Sequence, residues 1–234
     1  MAAARLHLMP VMSAAAEAVA QGRDWLTDAE CRRLQAITSP VRRDSFLAGH
    51  WQARALAAQW LQLDARRVAL DTHVDGRPLL RVDGETEPLH VSLSHSGGWL
   101  ALALADAPVG IDIELPQRER DWEALARFVF SPEERQRVRD AEGAARANVF
   151  HTLWTLKEAR GKRGGEGLQP RATRTVTAQP ADAADAEALG WAFGGGALAL
   201  ALTPGTRLER AGDTLGAPSH WRYAKVAGAA AGHD

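Results

Sequence analysis

The sequence predicts an α+β fold with an antiparallel or mixed sheet, not a doubly wound parallel one. Helical patterns precede strand patterns in each half of the chain. Each half opens a helix with a capping box, Thr27-Asp28-Ala29-Glu30 in the first and Ser131-Pro132-Glu133-Glu134 in the second. Gly97-Gly98 between two apolar runs reads as a hairpin turn.

In the first half, the box at Thr27 opens a helix toward Ile37. A longer helix runs from about Asp44 to Leu61, with Phe46, Leu47, Trp51, Leu56 and Trp60 on its buried side. Strand candidates follow at Leu79–Val82, His90–Leu93, Trp99–Leu104 and Val109–Glu114. In the second half, Pro132 stands at the first helical position after Ser131. A helix from about Ala144 to Lys162 carries Val149, Leu153 and Leu156 at helical spacing, and strand candidates lie at Thr173–Thr177, Ala197–Leu202 and Trp221–Val226. The charged, proline-containing stretch Leu115–Asp121 is the natural joint, giving halves 1–115 and 116–234. Pro180–Leu189 reads as a surface loop or poor helix, and 227–234 as a frayed tail.

The 234 residues suffice for one large domain or two small ones. A formal net charge of −1 argues against a general polyanion binder, so nucleic acid is not an expected partner and any phosphate affinity must be local. A lone cysteine, Cys31, excludes an intramolecular disulfide framework and a cysteine-based zinc site. The apolar stretch from Leu6 to Val19 is interrupted by His7 and Glu17. No clean signal peptide or membrane span is expected, and a cytoplasmic monomer is the default.

Three carboxylates stand out. As a strand, Val109-Gly110-Ile111-Asp112-Ile113-Glu114 puts Asp112 and Glu114 on one face. As a helix, Trp154-Thr155-Leu156-Lys157-Glu158-Ala159-Arg160-Gly161-Lys162 puts Glu158 and Lys162 one turn apart on one side. If the two pack together, hard oxygen ligands converge beside ammonium groups, which suits magnesium and a phosphorylated substrate. Taken singly, the strand pair reads as a solvated edge face and Glu158 as an ordinary surface glutamate with an i,i+4 partner. Ser94-His95-Ser96-Gly97-Gly98 reads either as a phosphate-holding strand end or as a polar hairpin turn, and Arg77 in Asp75-Gly76-Arg77-Pro78 as a phosphate ligand or a solvated turn residue. Ser94 and His95 face opposite ways on a strand, which argues against a nucleophile–base pair.

In order, Gly-Arg-Pro, Ser-His-Ser, Val-Gly-Ile-Asp-Ile-Glu and Trp-Thr-Leu-Lys-Glu-Ala-x-x-Lys resemble the 4′-phosphopantetheinyl transferases, above all the long single-chain class of surfactin- and enterobactin-pathway activators. The resemblance runs from about Arg42 to Leu168. It implies a pseudo-twofold pair of similar α+β halves with coenzyme A in the cleft between them. It implies transfer of 4′-phosphopantetheine from coenzyme A to a serine of an acyl or peptidyl carrier protein, with adenosine 3′,5′-bisphosphate released. By the same resemblance, Asp112, Glu114 and Glu158 are the magnesium ligands, and Lys162 lies by the scissile pyrophosphate. Arg43, Arg77, Ser94, His95 and Lys157 are expected to contact coenzyme A. His50 stands where arginine is usual in the siderophore-pathway branch, and a neutral imidazole would weaken contact with the 3′-phosphate. Gly161 replaces a larger residue, at about 1 kcal/mol of helix propensity against alanine, and is expected to loosen the placement of Lys162.

The implied mechanism has the carrier serine attack the β-phosphorus of coenzyme A. Glu158 takes the proton, directly or through a water, with a metal-bound water as the rival base. Lys162 stabilises the departing bisphosphate. Arg135, Arg137 and Arg139 are candidate contacts for an acidic carrier. Two other classes stay open: a magnesium-dependent phosphohydrolase or nucleotidyl transferase using the same carboxylates, and a non-catalytic partner of a synthase.

Overall fold

A computed structural model describes residues 1–116, 121–212 and 214–226. The chain starts with β1 (Ala3–Pro10), α1 (Val11–Ala20), α2 (Asp28–Ala36) and α3 (Pro40–Leu61). Then come β2 (Val68–Thr72), β3 (Pro78–Val82), β4 (Glu85–Thr86), β5 (His90–Ser96), β6 (Trp99–Ala105) and β7 (Gly110–Glu114). Helices α4 (Trp122–Val129), α5 (Pro132–Asp140) and α6 (Gly143–Gly164) follow, then a helical turn at Pro170–Thr173. The remaining strands are β8 (Val176–Pro180), β9 (Ala188–Phe193), β10 (Gly196–Ala201), β11 (Arg207–Arg210) and β12 (Ser219–Lys225). The α+β class is as the sequence predicts, and the strand pairs are antiparallel except β1 with β11. Among the described residues, no helix is long and apolar enough to cross a membrane.

The chain divides into two compact units, Met1–Val109 with Thr206–Thr214, and Gly110–Gly205 with the segment from Leu215 onward. The first holds a sheet in the order β11-β1-β6-β5 and a small sheet β2-β3-β4. Ala53, Leu56 and Ala57 of α3 pack on Leu102 and Leu104 of β6 and on Leu70 and Leu80 of the small sheet. The second unit holds β7-β10-β9-β12-β8. Phe150, Leu153, Leu156 and Ala159 of α6 pack on Ala199 and Ala201 of β10. Alanines on that strand let the helix lie close to the sheet.

Each unit uses its capping box twice. Thr27 accepts from the Glu30 amide while the Glu30 carboxylate accepts from the Thr27 amide at 2.8 Å. Glu30 is only 4% exposed, and it also holds His50 Nδ1 and Arg54 Nη2, each at 2.5 Å. The fully buried Arg54 guanidinium sits 5.0 Å from the Trp25 ring centroid. In the second unit, Ser131 and Glu134 form the same box. There Glu134 accepts from Lys157 Nζ at 2.8 Å and from the Ala178 amide at 2.8 Å. Arg54 and Lys157 each lie fourteen residues after the first residue of a 22-residue helix. A capping glutamate that grips a buried cation on the long helix is thus repeated in the two units.

The expected halves, 1–115 and 116–234, need correction. Strand β7 pairs with β10, Ala199 opposite Asp112 and Leu198 opposite Ile113, so Asp112 and Glu114 belong to the second unit. This pairing spans most of the second unit, and no local pattern encodes it. The segment Thr206–Thr214 returns to the first unit because β11 pairs with β1. Pro180–Leu189 is not simply a loop, since β9 starts at Ala188. Thr173–Thr177 ends a helical turn and begins β8. The apolar N-terminal stretch forms β1 and α1. Of the expected joint, residues 117–120 lie outside the described residues, as does the tail 227–234.

The Glu30 cluster makes a pH-dependent contribution. Burial opposes ionisation of Glu30, but the bonds from His50, Arg54 and the Thr27 amide prevail and lower its pKa to about 2. A depressed carboxylate pKa stabilises the fold above the ordinary value, and that contribution is lost as pH falls toward the folded one. Burial also lowers the pKa of His50 against the pull of Glu30, so the unfolded chain protonates there first and stability drops in the same direction. Resistance to denaturant, followed by tryptophan fluorescence, is expected to weaken steadily below pH 6.5. Glu30→Gln is expected to cost about 3 kcal/mol at neutral pH and to flatten the profile below pH 4.5. An unchanged profile in that variant would assign the dependence to other groups.

Candidate active site

The second unit builds its candidate site where α6 crosses β7. Gly110 makes the crossing possible. A Cβ there would lie 2.0 Å from the Ala159 carbonyl oxygen and 2.5 Å from the Arg163 amide nitrogen, far inside contact distance. The face of β7 that carries Gly110 therefore meets the helix. Asp112 and Glu114 follow on that same face at two-residue intervals, while Ile111 and Ile113, at 0% and 1% exposed, point the other way.

Lys162 closes the arrangement. Its Nζ donates to Asp112 Oδ1 at 2.8 Å and to the Ile111 carbonyl at 3.0 Å. Asp112 is 6% exposed, so its charge needs this partner. One turn earlier, Glu158 has its pKa raised, first by burial and then by the charges of Asp112 and Glu114, with Lys162 acting in the opposite sense. Three carboxylates that repel one another near one ammonium are a donor set suited to a hard divalent cation. Among the described residues, no three His, Cys, Asp or Glu side chains are grouped so as to hold a metal ion. In this arrangement the Lys162 ammonium occupies the Asp112 oxygen.

The other expected residues divide. Lys157 is not placed to meet coenzyme A. Its side chain is 1% exposed, and its Nζ is used by Glu134, by the Thr173 carbonyl at 2.7 Å and by the Val176 carbonyl. Successive helix residues are turned by about 100°, so Lys157 faces a different wall from Glu158. Trp154 stacks on Phe150 at 5.7 Å and packs against the core. Arg137 is engaged by the Ala178 carbonyl at 2.9 Å and lies over Trp221, and Arg139 bonds Gln136. Arg137 is therefore not simply a solvated docking charge, whereas Arg139 lies exposed on its helix.

In the first unit, a cavity of about 560 Å³ is lined by Arg33, Arg42, Phe46, His50, Leu93 and His95, among others. Leu93 and His95 share one face of β5, and Ser94 lies on the other. Arg43 and Arg77 do not line the cavity, although the flanking Arg42, Gly76 and Pro78 do. The Arg77 guanidinium is held by Asp75, Nη2 to Oδ2 at 2.7 Å. His50 is stacked on Phe46 with ring centroids 3.9 Å apart, its Nδ1 committed to Glu30. Arg42, which with Arg43 reads from the sequence as a phosphate ligand or a solvated residue before the long helix, does line the cavity, whereas Arg33 carries no such reading. The only signal for Arg33 is its position in the last turn of α2.

Residues 108–198 match the model of the 4′-phosphopantetheinyl transferase superfamily. The matched stretch covers less than half of the chain. It contains β7, α6 and β10, and so the whole carboxylate–lysine cluster. Curated relatives agree. The chain is 28% identical to the 4′-phosphopantetheinyl transferase HetI of a Nostoc species over 204 residues, 85% of this chain and 83% of that protein. It is 34% identical to the 4′-phosphopantetheinyl transferase psf-1 of Bacillus pumilus over 122 residues, 52% of this chain and 50% of that protein. It is 36% identical to the 4′-phosphopantetheinyl transferase AcpT of Salmonella typhimurium over 131 residues, 55% of this chain and 63% of that protein. For the last two, the chain spans less than two thirds of the relative's length.

The close approach at Gly110 sets an expectation for the domain. Gly110→Ala inserts a methyl into a helix–strand contact with no space for it and is expected to cost about 1–3 kcal/mol in urea unfolding. The helix must withdraw, and the Lys162–Asp112 contact should lengthen in a crystal structure of the variant. Wild-type stability with an unshifted helix would show that the contact tolerates a side chain.

Proposed function

We propose that the chain transfers 4′-phosphopantetheine from coenzyme A to a serine hydroxyl of an apo acyl or peptidyl carrier protein, in a magnesium-dependent reaction that releases adenosine 3′,5′-bisphosphate. The observation that carries this reading is the Lys162 ammonium bonded to Asp112 beside Glu158, within the stretch that matches the superfamily. The names of the relatives support it.

Asp112, Glu114 and Glu158 would hold the magnesium ion. It would supply charge stabilisation to the pyrophosphate. The serine Oγ forms a bond to the phosphorus that bears pantetheine, and the bond from that phosphorus to the bisphosphate oxygen breaks. Glu158 accepts the serine proton, directly or through a water. Lys162 would stabilise the departing bisphosphate through its ammonium charge. In the first unit, Arg33, Arg42 and His95 are the groups offered to the phosphorylated nucleotide end of coenzyme A, over an apolar floor of Phe46, Leu93 and Leu100. Arg43, Arg77 and Ser94 remain proposed contacts of a lesser kind, since none lines the cavity, whereas the internal bonds of Lys157 remove it from the set.

The test is direct. The protein is incubated with coenzyme A, magnesium and an apo carrier protein, and the carrier is weighed by mass spectrometry. A gain of one phosphopantetheine, lost with EDTA, is expected. Coenzyme A cleaved without any carrier gain would instead identify a phosphohydrolase. Glu158→Gln is expected to lower kcat at least about 10²-fold while circular dichroism stays unchanged. Near-normal turnover by that folded variant would remove Glu158 from the chemistry.

A further inference from the structure

Gly161 lies within α6 one residue before Lys162, and helix propensity alone would favour alanine there. The residue is buried, and its surroundings explain the choice. The Gly161 carbonyl accepts from the amides of Gly165 at 3.0 Å and Gly167 at 3.2 Å. The chain thus folds back over the helix it has just left, through residues with φ of 82° at Gly165 and 62° at Gly167. A Cβ on Gly161 would lie 2.4 Å from the Gly167 carbonyl oxygen and 2.7 Å from its carbonyl carbon. Both are backbone atoms that cannot swing aside.

The contact is one of two that bracket the functional side chains. Helix positions four apart share a strip, and adjacent positions are turned by about 100°. Lys157 and Gly161 form one strip, tied to Thr173 and Val176 through Lys157 and to Gly167 through Gly161. Ala159 and Arg163 form another, pressed on Gly110. Glu158 and Lys162 lie on the strip between. We infer that Gly161 is a positioning residue for Lys162: its missing side chain admits the Gly167 backbone, and this clamp, opposed by the Gly110 contact, sets where the Lys162 ammonium meets Asp112. The role rests on the transfer reading only for its catalytic consequence. The clamp itself is a statement about α6.

Relieving a 2.4 Å contact requires the helix or the turn to move by about 1 Å, and a misplacement of that size can lower catalysis roughly 10²-fold. Two variants test the idea from opposite sides. Gly161→Ala adds the methyl, and one glycine inserted between Gly165 and Glu166 withdraws the turn without altering α6. In the transfer assay with a carrier protein, each is expected to lower kcat about 10- to 100-fold. The KM for coenzyme A should hold within about twofold and circular dichroism at the assay temperature should match the wild type, a split that unfolding of the variant would not produce. A crystal structure of either variant should show Lys162 Nζ displaced from Asp112. Wild-type kcat in a folded variant, or a Lys162–Asp112 contact left in place, overturns the clamp. Should the wild-type protein modify no carrier, the transfer reading fails, and the displacement of Lys162 in the variant structures still decides the clamp.

Discussion

The second unit depends on how closely α6 can approach β7. At Gly110 the strand backbone touches the helix backbone with no side chain between them. Everything chemical follows from that distance. A helix held farther away could not bring Lys162 to an Asp112 oxygen at 2.8 Å, and Glu158 would not share the field of Asp112 and Glu114. Small residues recur where the helix lies closest to the sheet, with Ala199 and Ala201 on β10, Gly110 on β7 and Ala159 on α6. Bulk is placed instead at Phe150, Leu153 and Leu156, where the core needs volume.

The long helices are anchored by buried ion pairs as well as by apolar packing. A buried pair is costly unless its remaining hydrogen-bonding capacity is met. Glu134 meets this by accepting from Ser131, Ala178 and Lys157, and Glu30 by accepting from Thr27, His50 and Arg54. The capping box supplies part of each network at no extra desolvation, because its glutamate is already committed to a helix end. Using the same device in both units gives each long helix a defined rotation about its axis. In the second unit, that rotation decides which side chains reach the carboxylates.

Local pattern made much of this legible. The alternation in Val109–Glu114 placed Asp112 and Glu114 on one face, and helical spacing placed Glu158 above Lys162. The two capping boxes marked the starts of α2 and α5. Where the reading fell short, the deciding force was long-range. The short strand β9 lies in an alanine-rich stretch, and strand pairing there overrides weak local preference. The assignment of β7 to the second unit comes from its pairing with β10. Lys157, adjacent to Glu158 in a charged motif, looked like a ligand, yet its direction is fixed by a glutamate 23 residues earlier.

By itself, the sequence determined the fold class, the two helix-opening boxes and the grouping of acidic and lysine side chains into two short segments, because each is a matter of local periodicity and side-chain chemistry. Tertiary structure decided which lysine faces the carboxylates, which arginines line the cavity of the first unit, and why glycine stands at 110 and 161. Those depend on backbone meeting backbone across distant parts of the chain, at separations that only the packed fold defines.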